Sequence, residues 1–137
     1  MATILMTGVT GTVMNPLCVR LLEEGHTVVA LVRPTKGDPQ ERLFKSLRIS
    51  EETRGKLVVL AGDITQELGG ITPQEFGRWQ GKIDKLLHGA ANTKFVETPD
   101  NQVFKTNVCG TENMLRLAET LDIPEFHLVS TVFVGGD

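Results

Sequence analysis

Apolar positions along this chain fall into two rhythms that take turns. Ile4-Leu5-Met6 is a short apolar run that ends at Thr7-Gly8, and a second glycine, Gly11, follows three residues on. Met14, Leu17, Cys18, Leu21 and Leu22 then keep the i, i+3, i+4, i+7, i+8 spacing of one buried helix face, and Gly25 supplies a helix stop. Thr27 to Val32 is a continuous apolar, β-branched run, as a strand covered on both faces requires, and Arg33-Pro34 ends it. Residues 34 to 40 read as a loop, and Glu41 to Thr53 as a polar helix with Leu43, Phe44, Leu47 and Arg48 facing inward. Lys56 to Ala61 is a third strand, closed by Gly62-Asp63.

The second half continues the alternation. Thr72 is placed as an N-cap, Pro73 at the first helical position, and Glu75 to close a capping box. Lys85 to Gly89 is a fourth strand running into Ala90-Ala91-Asn92. Asn101 to Leu121 is the longest helical pattern, with Phe104, Val108, Met114 or Leu115, Ala118 and Leu121 along one side; Pro124 bars its continuation. Phe126 to Val134 is a fifth apolar strand, interrupted by Ser130-Thr131. The order βαβαβαβαβ with mostly short connections predicts an α/β protein built on a doubly wound parallel sheet of five strands.

Composition narrows the picture. A length of 137 residues gives one domain, and 40% hydrophobic with 23% charged residues is an ordinary globular balance. A net charge of −3 removes the electrostatic case for nucleic acid or an anionic membrane as partner. No apolar run approaches the roughly 18 residues of a membrane span, and the N-terminus does not join a basic region to an apolar one. Cys18 and Cys109 fall in separate helical patterns and read as reduced thiols of a cytoplasmic protein. No metal is expected.

The polar residues that stand out lie at the carboxyl ends of the strands, where such sheets bind ligands. Gly8 and Gly11 suit a sharp turn lying against a ligand, at a helix N-terminus that offers N–H groups and a positive dipole end to a phosphate. Arg33, followed by Thr35 and Lys36, stands where NAD sites carry an acid for the ribose 2′-OH. A guanidinium forks onto a phosphate instead, which favours NADP over NAD; the alternative is a solvated arginine at a strand end. His88, inside an apolar strand, reads as a satisfied core histidine rather than a catalyst. His26 and His127, at strand starts, are given no role, and Trp79 reads as surface packing.

At these positions the chain resembles the extended short-chain dehydrogenase/reductases, a Rossmann-fold family. Thr7-Gly8-Val9-Thr10-Gly11 looks like their cofactor loop, Gly62-Asp63-Ile64 like the segment against the adenine, and His88-Gly89-Ala90-Ala91-Asn92 like their fourth-strand motif. Asn107-Val108-Cys109-Gly110-Thr111 resembles their N-V-x-G-T helix, and Leu128-Val129-Ser130-Thr131 the strand with the catalytic Ser or Thr. Leu31-Val32-Arg33-Pro34 and Val129-Ser130-Thr131 look most like the thioester-reductase and fatty-acyl-reductase branch, although sugar-nucleotide epimerases share most of the motifs. The resemblance implies cofactor contacts from Thr7, Gly8, Thr10, Gly11, Thr12, Val13, Arg33, Asp63, Ile64, Ala90, Ala91, Asn92 and Asn107. It implies that Thr131, with Ser130 beside it, orients a substrate carbonyl. From the residues alone, Asp63 serves equally well to cap the next turn, and Asn107 is an ordinary polar residue on a helix.

Two departures from the family pattern are evident. Met14 stands where the loop normally has a third glycine, and Asn15-Pro16 behind it makes a plausible cap that would start the helix late and draw its N–H groups away from a phosphate. The chain also contains no tyrosine, whereas the family uses a Tyr with a Lys four residues later for proton transfer. The expectation is therefore that residues 1–137 are the NAD(P)-binding front portion of a reductase for a thioester, aldehyde or related carbonyl, with the family's last strands missing. The competing readings are a stand-alone dinucleotide sensor without chemistry, and a degenerate interaction protein in which Met14→Gly would recover binding. A fifth strand left as an open edge, with Val132, Phe133 and Val134, predicts a homodimer.

Overall fold

The computed structural model describes residues 1–11, 13–34, 38–89 and 105–129. Five strands, β1 (Thr3–Thr7), β2 (Thr27–Val32), β3 (Leu57–Ala61), β4 (Lys85–His88) and β5 (Glu125–Leu128), form one sheet in the order β3-β2-β1-β4-β5. Every neighbouring pair is parallel. Strand order thus reverses at β1, between β2 and β4, which opens a crevice at the carboxyl end of β1.

The strands are apolar on both faces because both are covered. Ile4, Met6, Val28, Ala30 and Leu57 meet Met14, Cys18 and Leu22 of α1 (Met14–Glu23) and Leu43 of α2 (Pro39–Ser46). Leu5, Val29, Leu31, Leu60 and Leu86 meet Met114, Leu117 and Ala118 of α5 (Gly110–Thr120). Odd and even residues of one strand go to opposite layers, the period-2 rule of a strand. Each fully buried Leu or Val contributes roughly 1.5–3 kcal/mol relative to exposure, so the two layers together fix the register. The remaining helices are α3 (Glu51–Arg54) and α4 (Pro73–Trp79).

Gly25 ends α1 as expected, at φ +96°, with its N–H donating to Leu22 O and that of His26 to Leu21 O. Three expectations need correction. The helix foreseen over 41–53 is two helices, α2 and α3, and Arg48 is exposed rather than inward. Leu47 turns extended and Ser50 caps α3 by accepting from Thr53 N at 3.2 Å, which also lets Ile49 reach the core. The long helix opens with a π turn over Lys105–Cys109 before α5. Val108, within that wider turn, is exposed rather than inward, whereas beyond it Met114, Ala118 and Leu121 are buried as expected, joined by Leu117, and Met114 rather than Leu115 faces in. Finally, α1 does not start late: Asn15 N donates to Gly11 O at 3.0 Å, and the Asn15 side chain binds Ser46 O on α2 at 3.1 Å instead of capping. Smaller differences are a β3 that begins at Leu57, a β4 that ends at His88, and a β5 spanning Glu125–Leu128. The segments 90–104 and 130–137, with Thr12 and 35–37, lie outside the described residues.

Candidate functional site

A cavity of about 350 Å³ opens at the carboxyl ends of β1 to β4. Gly8 to Gly11 line it after β1, Arg33 after β2, Gly62 to Thr65 after β3 and Gly89 after β4. An adjoining hollow of about 460 Å³ shares Arg33, Gly62 and Asp63.

The first wall is the turn between β1 and α1. Gly8 has φ +74°, and its carbonyl accepts from Gly11 N at 2.9 Å, closing the turn. A Cβ on Gly11 would sit 3.1 Å from that carbonyl, so the backbone is bare where a ligand approaches. Val13 stands at the N-cap of α1 with no side-chain cap, and no acidic residue lies in the first turn. Asn15 N is held by Gly11 O and Pro16 has no N–H, so what the opening of α1 presents to an anion is chiefly its positive dipole end beside the glycine turn. The Val13 side chain is 63% exposed and does not line the cavity.

Thr7 lies beneath this turn. It is fully buried, is hydrogen-bonded to His88 Nδ1 at 2.7 Å, and accepts from Gly89 N at 3.0 Å. His88 is the satisfied core histidine anticipated; burial pushes its pKa down to about 4, so it stays neutral at physiological pH. Burial likewise pushes the Cys18 thiol up to about 12, which makes it inert.

The opposite wall is charged. The Arg33 side chain is exposed and makes no ion pair or hydrogen bond among the described residues. Beside it is a residue that the sequence reading missed: Arg42, on α2, donates from Nη2 to Arg33 O at 2.6 Å. Its Nε is buried without a partner among the described residues. The other such atom among the described residues, Arg54 Nε, belongs to a guanidinium stacked 5.1 Å over Phe44. The signal for Arg42 was the Asp38-Pro39 start of α2, which places position 42 one turn in, near the end of β2.

Asp63 caps its own turn: Thr65 donates to Oδ1 from N at 2.9 Å and from Oγ1 at 2.7 Å. Oδ2 has no partner among the described residues, so the cap leaves one carboxylate oxygen for a ligand. Its backbone is held as well, with Asp63 N donating to Gly69 O at 2.8 Å. Ile64 is fixed from α5, where Asn113 Nδ2 donates to Ile64 O at 2.8 Å. Asn107 sits in the π turn, with its carbonyl accepting from Thr111 Oγ1 at 2.7 Å, and does not line the cavity. Thr12, Ala90, Ala91, Asn92, Ser130 and Thr131 lie outside the described residues.

The lining fits a dinucleotide on its own terms: a bare glycine turn at a helix N-terminus, a pair of arginines, and a carboxylate with one oxygen unpartnered among the described residues. Sheet order, crossover and glycine turn together define the class, an NAD(P)-binding Rossmann-type fold. The particular family follows from a match over residues 6–137 to an NAD(P)-binding family described as Male sterility protein, and the chain belongs to that family. It is 30% identical to a putative fatty acyl-CoA reductase of Drosophila melanogaster over 96% of this chain and 25% of that protein. The crystal structure of the terminal R domain from the myxalamid PKS-NRPS biosynthetic pathway superposes with a TM-score of 0.85 at 34% identity, over 97% of this chain and 35% of that one. The reductase domain of a nonribosomal peptide synthetase from Mycobacterium tuberculosis gives 0.80 at 29%, over 98% and 34%. The chain thus spans a quarter to about a third of these relatives. Among the described residues no helix is long and apolar enough to cross a membrane.

Proposed function

We propose that this chain is the NADP(H)-binding portion of a reductase acting on a thioester, aldehyde or related carbonyl, with residues 1–137 forming its N-terminal nucleotide-binding part. The observation that carries the reading is the Arg33–Arg42 pair on one wall of the cavity: the Arg33 side chain is exposed with no ion pair among the described residues, and the Arg42 guanidinium is held beside it by its bond to Arg33 O. A 2′-phosphate gives this pair of cations a charge-assisted partner that a bare ribose hydroxyl does not. In this reading the Gly8–Gly11 turn and the α1 N-terminus hold the pyrophosphate, and Asp63 Oδ2 accepts from the adenine amino group. When bound, the dinucleotide supplies hydride to the carbonyl, which Thr131 and Ser130 orient. The 137 residues contain no tyrosine, so binding without turnover is expected of them alone. Among named relatives, reductase function is what supports the carbonyl chemistry.

Calorimetric titration with NADPH and NADH tests this directly. Arg42→Ala should lower NADPH affinity roughly tenfold to a hundredfold, the worth of a charge-assisted contact, and leave NADH affinity unchanged. Equal affinity for the two dinucleotides in the unaltered chain overturns the assignment. The proposed compartment is the cytoplasm, which the two free cysteines support. The proposed partner is a second copy through the fifth strand: β5 is the outer strand beside β4 in the described sheet, and Leu128 is exposed. A constant monomer mass by light scattering across a wide concentration range overturns that dimer.

A further inference from the structure

We propose that Met14 and Gly89 are a matched pair that holds the Gly8–Gly11 turn, with Gly89 providing from the end of β4 the room that a glycine at position 14 would provide from α1. The functional side of this rests on the dinucleotide reading above. A glycine opening the first helix lets helix and sheet pack closely. Here the opening residue of α1 is Met14, only 2% exposed and packed in the core with Val9 and Cys18. Its thioether enters the one place where the facing strand end lacks a side chain. A Cβ built on Gly89 would stand 2.5 Å from Met14 Sδ, 3.0 Å from Cε, and closer still to Cγ.

Neither partner is free to retreat. Gly89 N donates to Thr7 Oγ1 at 3.0 Å, and Thr7 is the residue immediately before Gly8. The Met14 atoms met are those of its side chain, which is 2% exposed among Val9 and Cys18 and has no open space to turn into, so the pressure falls on the first residue of α1. Gly89 itself lines the cavity, which makes it a positioning residue for that wall. An alanine at 89 pushes on Met14 and, through it, on the phosphate end of the site. The Arg33–Arg42 end, across the cavity, is untouched.

That geometry allows a test in which a general structural effect looks different. The unaltered chain, Gly89→Ala, Met14→Gly and the double variant are titrated with NADPH and with adenosine 2′-monophosphate, which carries the phosphate for the arginines and none for the glycine turn. Gly89→Ala should weaken NADPH roughly tenfold or more, as overpacking does, and change monophosphate binding by less than about threefold. The double variant should bind NADPH more tightly than Gly89→Ala alone. Additive losses in the double variant, or equal losses for both ligands, overturn the proposal. If the unaltered chain binds neither ligand, the NADP reading fails by itself. The pair is then judged on the same four proteins by thermal unfolding, where a non-additive Tm sustains it and an additive one overturns it. Should Gly89→Ala fail to fold, folding of the double variant sustains the pair and failure of the double variant overturns it.

Discussion

Three of the helices begin in one way and α1 in another. Asp38 caps α2 by accepting from Gln40 N at 3.1 Å, Ser50 caps α3 from Thr53 N at 3.2 Å, and Thr72 caps α4 from Glu75 N at 3.3 Å. Each also carries an acid in its first turn: Glu41, Glu51 with Glu52, and Glu75. At α1 the N-cap is Val13, with no cap bond and no acid in the first turn. α5 continues from the π turn and has no side-chain cap either, but it carries Glu112 in its first turn. Among the described α-helices α1 alone has neither cap nor acid: Asn15 N is held by Gly11 O, Pro16 has no N–H for a cap to receive, and the positive end is left uncompensated beside the bare glycine turn at the reversal of strand order.

The sharpest way to break this contrast is to put a negative charge in the turn that leads into α1. Gly11→Asp adds a carboxylate two residues before the Val13 N-cap and a Cβ that would press on Gly8 O from 3.1 Å. NADPH affinity should fall at least about a hundredfold, since an anion then meets a like charge and a blocked turn. Thermal stability should change little by comparison. Wild-type affinity in this variant, measured calorimetrically, would sink the view that α1 is held open for phosphate.

The contrast also separates what could be read from the chain from what could not. Gly8, Gly11, Arg33 and Asp63 were legible because each is fixed by its place at a strand end, a local pattern repeated after every strand. The caps of α2 to α4 were equally local, and Ser50-Glu51-Glu52 did carry the break that divided the helix foreseen over 41–53. Arg42 was hidden by its position on a polar helix face, where an arginine looks like ordinary solvated surface. Met14 looked like a defect because its complement, Gly89, is 75 positions away and meets it only through the β1–β4 pairing. Val108 was misplaced for a different reason, since it lies within a π turn that has no signature in a 3.6-residue pattern, while Met114, Ala118 and Leu121 beyond it kept the expected face.

Beneath the uncapped end, Thr7 and His88 give a pH dependence of their own. Folding pushes the His88 pKa from an ordinary 6.5 down to about 4. Between those values the unfolded chain binds a proton that the folded chain refuses, so stability falls as pH drops through this window and is unaffected by His88 above it. The loss should reach roughly 2–3 kcal/mol by pH 4. Carboxylates titrate in the same range, so the informative quantity is the difference from His88→Asn, which can still bond Thr7 but does not charge. Matching Tm profiles for the two proteins between pH 6.5 and 4 would show that His88 is not held neutral.

The smallest effect lies at a capped helix, and its smallness is the point. Ser50→Ala removes the bond to Thr53 N, along with the 2.8 Å contact between Ser50 Oγ and Thr53 Oγ1. Losing a serine cap costs about 0.5–1 kcal/mol when the helix is short and exposed, and α3 has four residues, none buried. Thermal unfolding should register that loss, while NADPH and NADH affinities stay within about twofold of the unaltered chain, because Ser50 does not line the cavity. If affinity instead fell along with stability, helix N-termini across this molecule would be coupled to the ligand through the fold as a whole. The distinction between capped helices that hold the structure and an open one that holds a phosphate would then collapse.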